Sequence, residues 1–122
     1  MSNLIPYTGS VYPVDLGAHD LTVQGLTIGL GNNSGTTNTV FGVAALSINN
    51  TGHDNTAIGY NALLQNNDGS SNVAVGYNAG KNVTEGVFNT IIGSGAGTGI
   101  AAGSGNIVIG SYYICIIGKY CV

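Results

Sequence analysis

Few side chains in this sequence are of a type that performs chemistry, and their spacing argues against a reaction. Cys115 and Cys121 are the two cysteines. Six residues apart, they can close a disulfide if the chain turns between them, link neighbouring chains, or remain two buried thiols. Structural zinc wants four N or S ligands, and no histidine lies near either cysteine. His19 and His53 read as imidazoles on surface loops; only a threefold axis would turn one ring per chain into three metal ligands. The run Gly93-Ser94-Gly95-Ala96-Gly97-Thr98-Gly99 imitates a phosphate loop but lacks both the lysine and the following helix. Asp54, Asp68 and Glu85 recur in successive turn segments. They could form the carboxylate pair of a glycosidase, but polar residues on a solvated edge are the default. Thr39, Thr56 and Thr90 share a phase that Val73 and Ile107 interrupt, which leaves an ice-binding array as a third choice. The expectation is a protein that is not an enzyme and uses no cofactor and no metal.

Composition narrows the class further. The chain has 122 residues, 43% apolar and only 6% charged, with 21 glycines and 15 asparagines. Gly costs roughly 1 kcal/mol per helix position relative to Ala, and Asn, Thr and Ser favour turns, so few helices are expected. Lys81 and Lys119 are the only basic residues and the net charge is −3. Two lysines cannot neutralise a phosphate backbone, so nucleic acid is excluded as a partner, and the electrostatic route to a membrane surface goes with it. Residues Met1 to Tyr7 have no basic n-region, and the apolar stretch Ile107 to Val122 is interrupted by Gly110, Gly118 and Lys119. That stretch falls short of the ~20 residues that span a bilayer and reads as core.

The elements that position these residues follow from an internal repeat. Five segments align without a gap at a spacing of 17: Asn38 to Gly42, Asn55 to Gly59, Asn72 to Gly76, Asn89 to Gly93 and Asn106 to Gly110. Ala45, Ala62, Ala79 and Ala96 keep the same register, as do Gly52, Gly69, Gly86 and Gly103. Seventeen residues are too few for a helical-hairpin repeat, but at about 3.3 Å each they trace about 56 Å, one winding of a solenoid with two short strands and two turns. The expected fold is therefore all-β: a parallel β-solenoid, or β-roll, of about five 17-residue coils stable only as an array.

Alternation along each strand sends its two apolar columns to opposite faces. Val40, Ala57, Ala74, Ile91 and Val108 form one column; Phe41, Ile58, Val75, Ile92 and Ile109 form the other. Only one can face the narrow interior, so the other needs cover from a second surface, and a subunit interface is expected. The strand-heading asparagines, Asn38, Asn55, Asn72, Asn89 and Asn106, are expected to stack as an amide ladder.

With these residues in view, the repeat resembles the YadA-like head repeat of trimeric autotransporter adhesins, Asn-x-x-x-Gly-x-x-Ala or Ser, with Asn55 to Ala62 and Asn72 to Ala79 the closest matches. That resemblance covers about Asn38 to Gly110 and implies a left-handed parallel β-roll packed as a homotrimer. The usual head repeat is shorter than 17, and the stalk and outer-membrane anchor of a complete autotransporter are not in this sequence. Pro6 to Gly9, Val14 to Val23 and Leu26 to Gly29 resemble segments that precede such repeats in phage tail-fibre-like and viral fibre proteins.

The division expected is 1–24 as an N-terminal strand or attachment segment, 25–37 as an irregular first coil, 38–110 as the solenoid and 111–122 as a C-terminal half-coil or cap. The function implied is a structural fibre component of a phage or virus particle, on the virion surface or extracellular, serving attachment. Its partners would be itself, other virion proteins and a host-surface glycan or protein contacted by the turns Ile48 to Asp54, Gln65 to Ser71 and Asn82 to Val87. The alternative is a self-polymerising extracellular filament subunit assembled head to tail.

Overall fold

The computed structural model describes residues 19–31 and 37–112. These form one seven-stranded sheet in the order β1 to β7: β1 Leu21–Val23, β2 Leu26–Gly29, β3 Thr39–Val43, β4 Thr56–Ile58, β5 Val73–Val75, β6 Thr90–Ile92 and β7 Ile107–Ile109. Strands β3 to β7 pair in parallel and in register at the period of 17, so that Ile58, Val75 and Ile92 stand in one file. The fold is an all-β parallel solenoid of about four turns; five strands head the repeat and enclose four windings.

Each winding carries one strand of three to five residues, not the expected two. The reason lies in the backbone after the strand. Left-handed φ values recur at Ala44, Asn61, Asn78 and Gly95, then two residues later at Leu46, Leu63, Gly80 and Gly97. Two left-handed residues so close together break the extended conformation and turn the chain back. A third corner at Asp54, Ser71, Phe88 and Gly105 (φ 57–70°) closes the winding before the next asparagine. These turns still stack: the N–H of Leu46, Leu63 and Gly80 donates to the carbonyl of Ala62, Ala79 and Ala96 (2.9–3.0 Å). Their backbone groups are thus satisfied as in a ladder.

The interior is filled by Val40, Ala57, Ala74, Ile91 and Val108 from the strands and by Ala45, Ala62, Ala79 and Ala96 from the turns, all nearly inaccessible. Its large side chains change places along the rod. Leu46 and Leu63 fill the first windings, while the same position is Gly80 and Gly97 in the later ones. There Ile91 takes the space: a Cβ on Gly80 would lie 2.9 Å from Ile91 Cδ1, and one on Gly97 3.0 Å from Ile91 Cγ2. Close packing is kept by exchanging a large residue on one wall for one on the other.

Before the repeat, where an attachment segment (1–24) and an irregular first coil (25–37) are expected, the described strands run antiparallel. Strands β1 and β2 form an antiparallel hairpin, and β2 pairs antiparallel with β3. The turn residues Gln24 and Gly25 both have positive φ (48° and 82°), the two-residue hairpin turn whose twist matches its strands. Asp20 accepts the N–H groups of Leu30 (2.6 Å) and Gly31 (2.9 Å), tying off the hairpin's open end. The boundary between 24 and 25 therefore falls inside this turn. Cys115, Cys121 and most of the 111–122 segment lie outside the described residues.

Candidate functional site: an apolar face on the sheet

Of the two apolar columns, the one with Val40, Ala57, Ala74, Ile91 and Val108 points inward and is at most 4% exposed. The other points out. Phe41 is 47% exposed, Ile58 37%, Ile92 39% and Ile109 48%, with Val75 half-buried between them. The hairpin lengthens this outer column by two rungs that sequence reasoning missed. Leu21 pairs with Ile28, and Ile28 with Phe41, so the file runs Leu21, Ile28, Phe41, Ile58, Val75, Ile92, Ile109 across all seven strands. The available signal was the alternation of Leu21, Val23, Leu26 and Ile28, which reads as two strands but does not reveal which column they join.

Two further outward columns flank this file. On one side stand Thr39, Thr56, Val73, Thr90 and Ile107. On the other, Val23 pairs with Leu26 and Leu26 with Val43; Tyr60, Tyr77 and Ser94 follow at the same phase. The rings of Tyr60 and Tyr77 stack with centroids 5.5 Å apart and planes 9° from parallel, one winding over the next. All three columns are free of charged residues. With about two-fifths of each aliphatic residue still open to water, covering a rung of the central file stabilises by about 1 kcal/mol, and the full file by about 5–7 kcal/mol.

The five repeat asparagines sit at 0–2% exposure, and the first four share one pattern of bonds. The Oδ1 of Asn38, Asn55, Asn72 and Asn89 accepts the backbone N–H of the asparagine one winding on (2.8–3.0 Å). The Nδ2 of Asn55, Asn72 and Asn89 donates to the carbonyl of Gly69, Gly86 and Gly103 in its own winding (2.7–2.8 Å). From Asn55 onward the amides also bond one another: Asn72 Nδ2 donates to Asn55 Oδ1 at 3.2 Å, Asn89 Nδ2 to Asn72 Oδ1 at 2.9 Å and Asn106 Nδ2 to Asn89 Oδ1 at 2.8 Å. This geometry makes them structural. Sequence reasoning passed over a second, shorter column, Asn49 and Asn66, where Asn66 Nδ2 reaches Asn49 Oδ1 (3.3 Å) and the Gly69 carbonyl (2.8 Å). Its next members are Val83 and Ile100, so Asn66 Oδ1 is buried with no donor. The signal was two equal phases followed by two apolar ones.

Among the described residues, the acids and histidines singled out in the sequence lie apart on the surface. Asp68 accepts from Thr51 Oγ1 (2.9 Å) and from Asn67 Nδ2 (2.8 Å), and Glu85 is exposed. His53 Nδ1 lies 2.9 Å from Asp54 Oδ2 with both side chains more than half exposed. The Thr37 hydroxyl donating to Asp54, and after it His53, hold the Asp54 carboxyl below its usual range. His19 is exposed, and Gly93 to Gly99 is an ordinary winding turn. Among the described residues no three His, Cys, Asp or Glu side chains gather as metal ligands, and no helix is long and apolar enough to cross a membrane. The turns expected to meet a ligand carry polar ladders of their own, such as Asn50 Nδ2 to Asn67 Oδ1 at 2.6 Å. Compared with protein-family models, with curated proteins and with solved structures, the chain matches none.

Proposed function

We propose that this chain is a non-enzymatic structural fibre component of a phage or virus particle, a homotrimer on the virion surface or outside the cell that serves attachment or adhesion. The observation that carries the self-association is the seven-rung apolar file exposed along one face of the sheet. A contiguous uncharged face of this kind on a chain with net charge −3 marks an interaction surface. Its rungs recur at the solenoid pitch, about 4.8 Å, which a copy of the same chain matches level by level. The viral fibre setting, the trimer and the adhesive role rest on the resemblance of the Asn-x-x-x-Gly-x-x-Ala units to YadA-like head repeats and of the N-terminal segments to fibre proteins. Other virion proteins, and a host glycan or protein met by the polar turns, are the further partners of this reading.

The second reading, a filament subunit joined head to tail, is favoured by Asn106. Its Oδ1 is buried without a donor, whereas the Oδ1 of each earlier repeat asparagine takes the N–H of the next. A strand laid on β7 would supply that donor.

Sedimentation velocity on the purified protein and on Ile58→Asp tests the first reading. A discrete trimer that dissociates in the variant is expected. A wild-type protein that stays monomeric at micromolar concentration would overturn it. Open-ended fibres in negative stain would replace it with the filament.

A further inference from the structure

The two edges of the sheet are complementary. Along the solenoid each winding offers three groups to the next. The N–H of Thr39, Thr56, Val73 and Thr90 donates to the carbonyl of Asn55, Asn72, Asn89 and Asn106 (2.7–2.8 Å). The carbonyl of Phe41, Ile58, Val75 and Ile92 accepts the N–H of Gly59, Gly76, Gly93 and Gly110 (2.8–2.9 Å). The Oδ1 of each strand-heading asparagine accepts the N–H of the next. At β7 the equivalent groups are the Ile107 N–H, the Ile109 carbonyl and Asn106 Oδ1. No strand among the described residues takes them, and Asn106 Oδ1 is buried without a donor. We infer that β7 is the acceptor edge of a joint between copies, and that the strand it takes is β1 of the next copy, running parallel with Leu21 set beside Ile109. This rests on the second reading above, end-to-end joining, and names its strands and register.

Direction and register follow from the hairpin. β1 is antiparallel to β2 and β2 to β3, so β1 runs the same way as β7. The two-residue turn makes Val23 and Leu26 a hydrogen-bonded pair, and such pairs alternate along a ladder. Thr22 and Asp20 therefore turn their N–H and C=O groups away from β2, toward the free edge. With Leu21 beside Ile109, the Thr22 N–H reaches the Ile109 carbonyl, the Asp20 N–H the Ile107 carbonyl, and the Ile109 N–H the Asp20 carbonyl. Two residues further back, the group due at Asn106 Oδ1 is the N–H of Ala18, just outside the described residues. The outer apolar file then continues from Ile109 to Leu21, both exposed in the single chain. Solvent-facing edges are commonly blunted by charge or proline, and neither Leu21–Val23 nor Ile107–Ile109 carries either. Asp20 directs its carboxylate at the N–H groups of Leu30 and Gly31 in its own hairpin. A symmetric joint fails on Asn106. Two β7 strands related by a twofold axis are antiparallel, and pairing Ile107 with Ile109 sets Asn106 opposite Gly110. The Gly110 N–H is already held by the Ile92 carbonyl (2.9 Å), so Asn106 Oδ1 stays orphaned.

Proline on an edge strand removes an outward N–H and spares the ladder behind it. Thr22→Pro disables β1 in this way and Ile109→Pro disables β7, with circular dichroism checking that each keeps the wild-type fold. Mass photometry and negative stain are read on the wild type, on each variant and on an equimolar mixture. The expected result is open-ended rods from the wild type, no end-to-end growth from either variant alone, and a doubling of mass in the mixture, where the intact β7 of Thr22→Pro meets the intact β1 of Ile109→Pro. Hydrogen exchange of the wild type needs no variant, and is expected to slow over residues 19–23 and 106–110 only at concentrations where rods lengthen. Doubling of Thr22→Pro by itself means a β7–β7 joint and overturns the inference. Growth of both variants overturns it too, while leaving end-to-end joining intact through another joint. Protection of 106–110 at every concentration also overturns it, because the chain's own residues then cover β7. A wild type that never joins end to end removes this inference and the second reading together.

Discussion

Asn72 sits in the middle of the amide ladder, and its removal has a cost that can be worked from its bonds. Its Nδ2 donates to the Gly86 carbonyl (2.7 Å) and to Asn55 Oδ1 (3.2 Å), and its Oδ1 accepts Asn89 N–H (3.0 Å) and Asn89 Nδ2 (2.9 Å). Asn72→Ala leaves two buried groups without a partner, the Gly86 carbonyl and the Asn89 N–H, because Asn55 Oδ1 keeps the Asn72 backbone N–H and Asn89 Nδ2 keeps the Gly103 carbonyl. At about 1–3 kcal/mol for each orphaned group, the loss is about 2–6 kcal/mol. A domain of this length has a total stability of about 6–18 kcal/mol, so much of the margin is consumed. Asn106→Ala removes one amide donor to Asn89 Oδ1, an oxygen that still accepts the Asn106 backbone N–H, and so costs about 1 kcal/mol. Urea unfolding followed by circular dichroism, at one fixed protein concentration, compares the two. Asn72→Asp adds a sign test. One oxygen of the new carboxyl would keep the two Asn89 donors, which favour the charged form. The other would replace a donor and face Asn55 Oδ1 and the Gly86 carbonyl, both acceptors; with full burial added, the folded pKa is expected to rise above the ordinary ~3.9. A raised folded pKa means stability that is fully present below the unfolded value and lost as pH rises through the folded one. Equal costs for Asn72→Ala and Asn106→Ala, or an Asn72→Asp variant that gains stability as pH rises, would refute the ladder as the holding element.

Three further outcomes follow from the same geometry. Gly76→Ala places a Cβ 2.6 Å from the Gly93 carbonyl oxygen at a φ of +136°, so thermal unfolding is expected to show a loss of several kcal/mol or no folded protein; a neutral result contradicts the tight stacking of the glycine file. Ile58→Asp, on the outward file, is expected to keep the wild-type circular dichroism spectrum while abolishing association, whereas loss of the spectrum would place Ile58 in the interior. Thr37→Val removes the hydroxyl that chiefly lowers the Asp54 carboxyl, so its NMR titration is expected to move up toward the ordinary carboxylate value. In the wild type that bond acts above the ordinary value and is lost as pH falls through the lowered one; an unmoved titration overturns the assignment.

Much of the fold was legible because a repeat turns tertiary information into local information. If Asn, Gly and Ala recur every 17 residues, the register of stacked strands follows from counting, and so does the amide ladder of Asn38 to Asn106. The left-handed corners were legible in part: Asn61, Asn78 and Gly95 are residues that adopt positive φ readily. Leu46 and Leu63 at the next corner are not, and nor is Phe88. For the two leucines, complete burial offsets a strain of order 1 kcal/mol, a balance that no local pattern reveals.

By itself the sequence determined the period, the parallel in-register stacking and the existence of two apolar columns with only one interior to hold them. Which column turns inward was left to the tertiary structure. Both are aliphatic, so hydrophobicity cannot rank them; the left-handed turns that follow each strand set the direction in which the winding closes, and thereby enclose Ala57 and Ala74 while leaving Ile58 outside. Only the folded chain could join the β1–β2 hairpin to the same outer file, since that depends on an antiparallel pairing with β3 that lies outside the repeat. The face available to a partner is thus a property of how the chain closes on itself, which is a non-local balance of turn geometry and core volume.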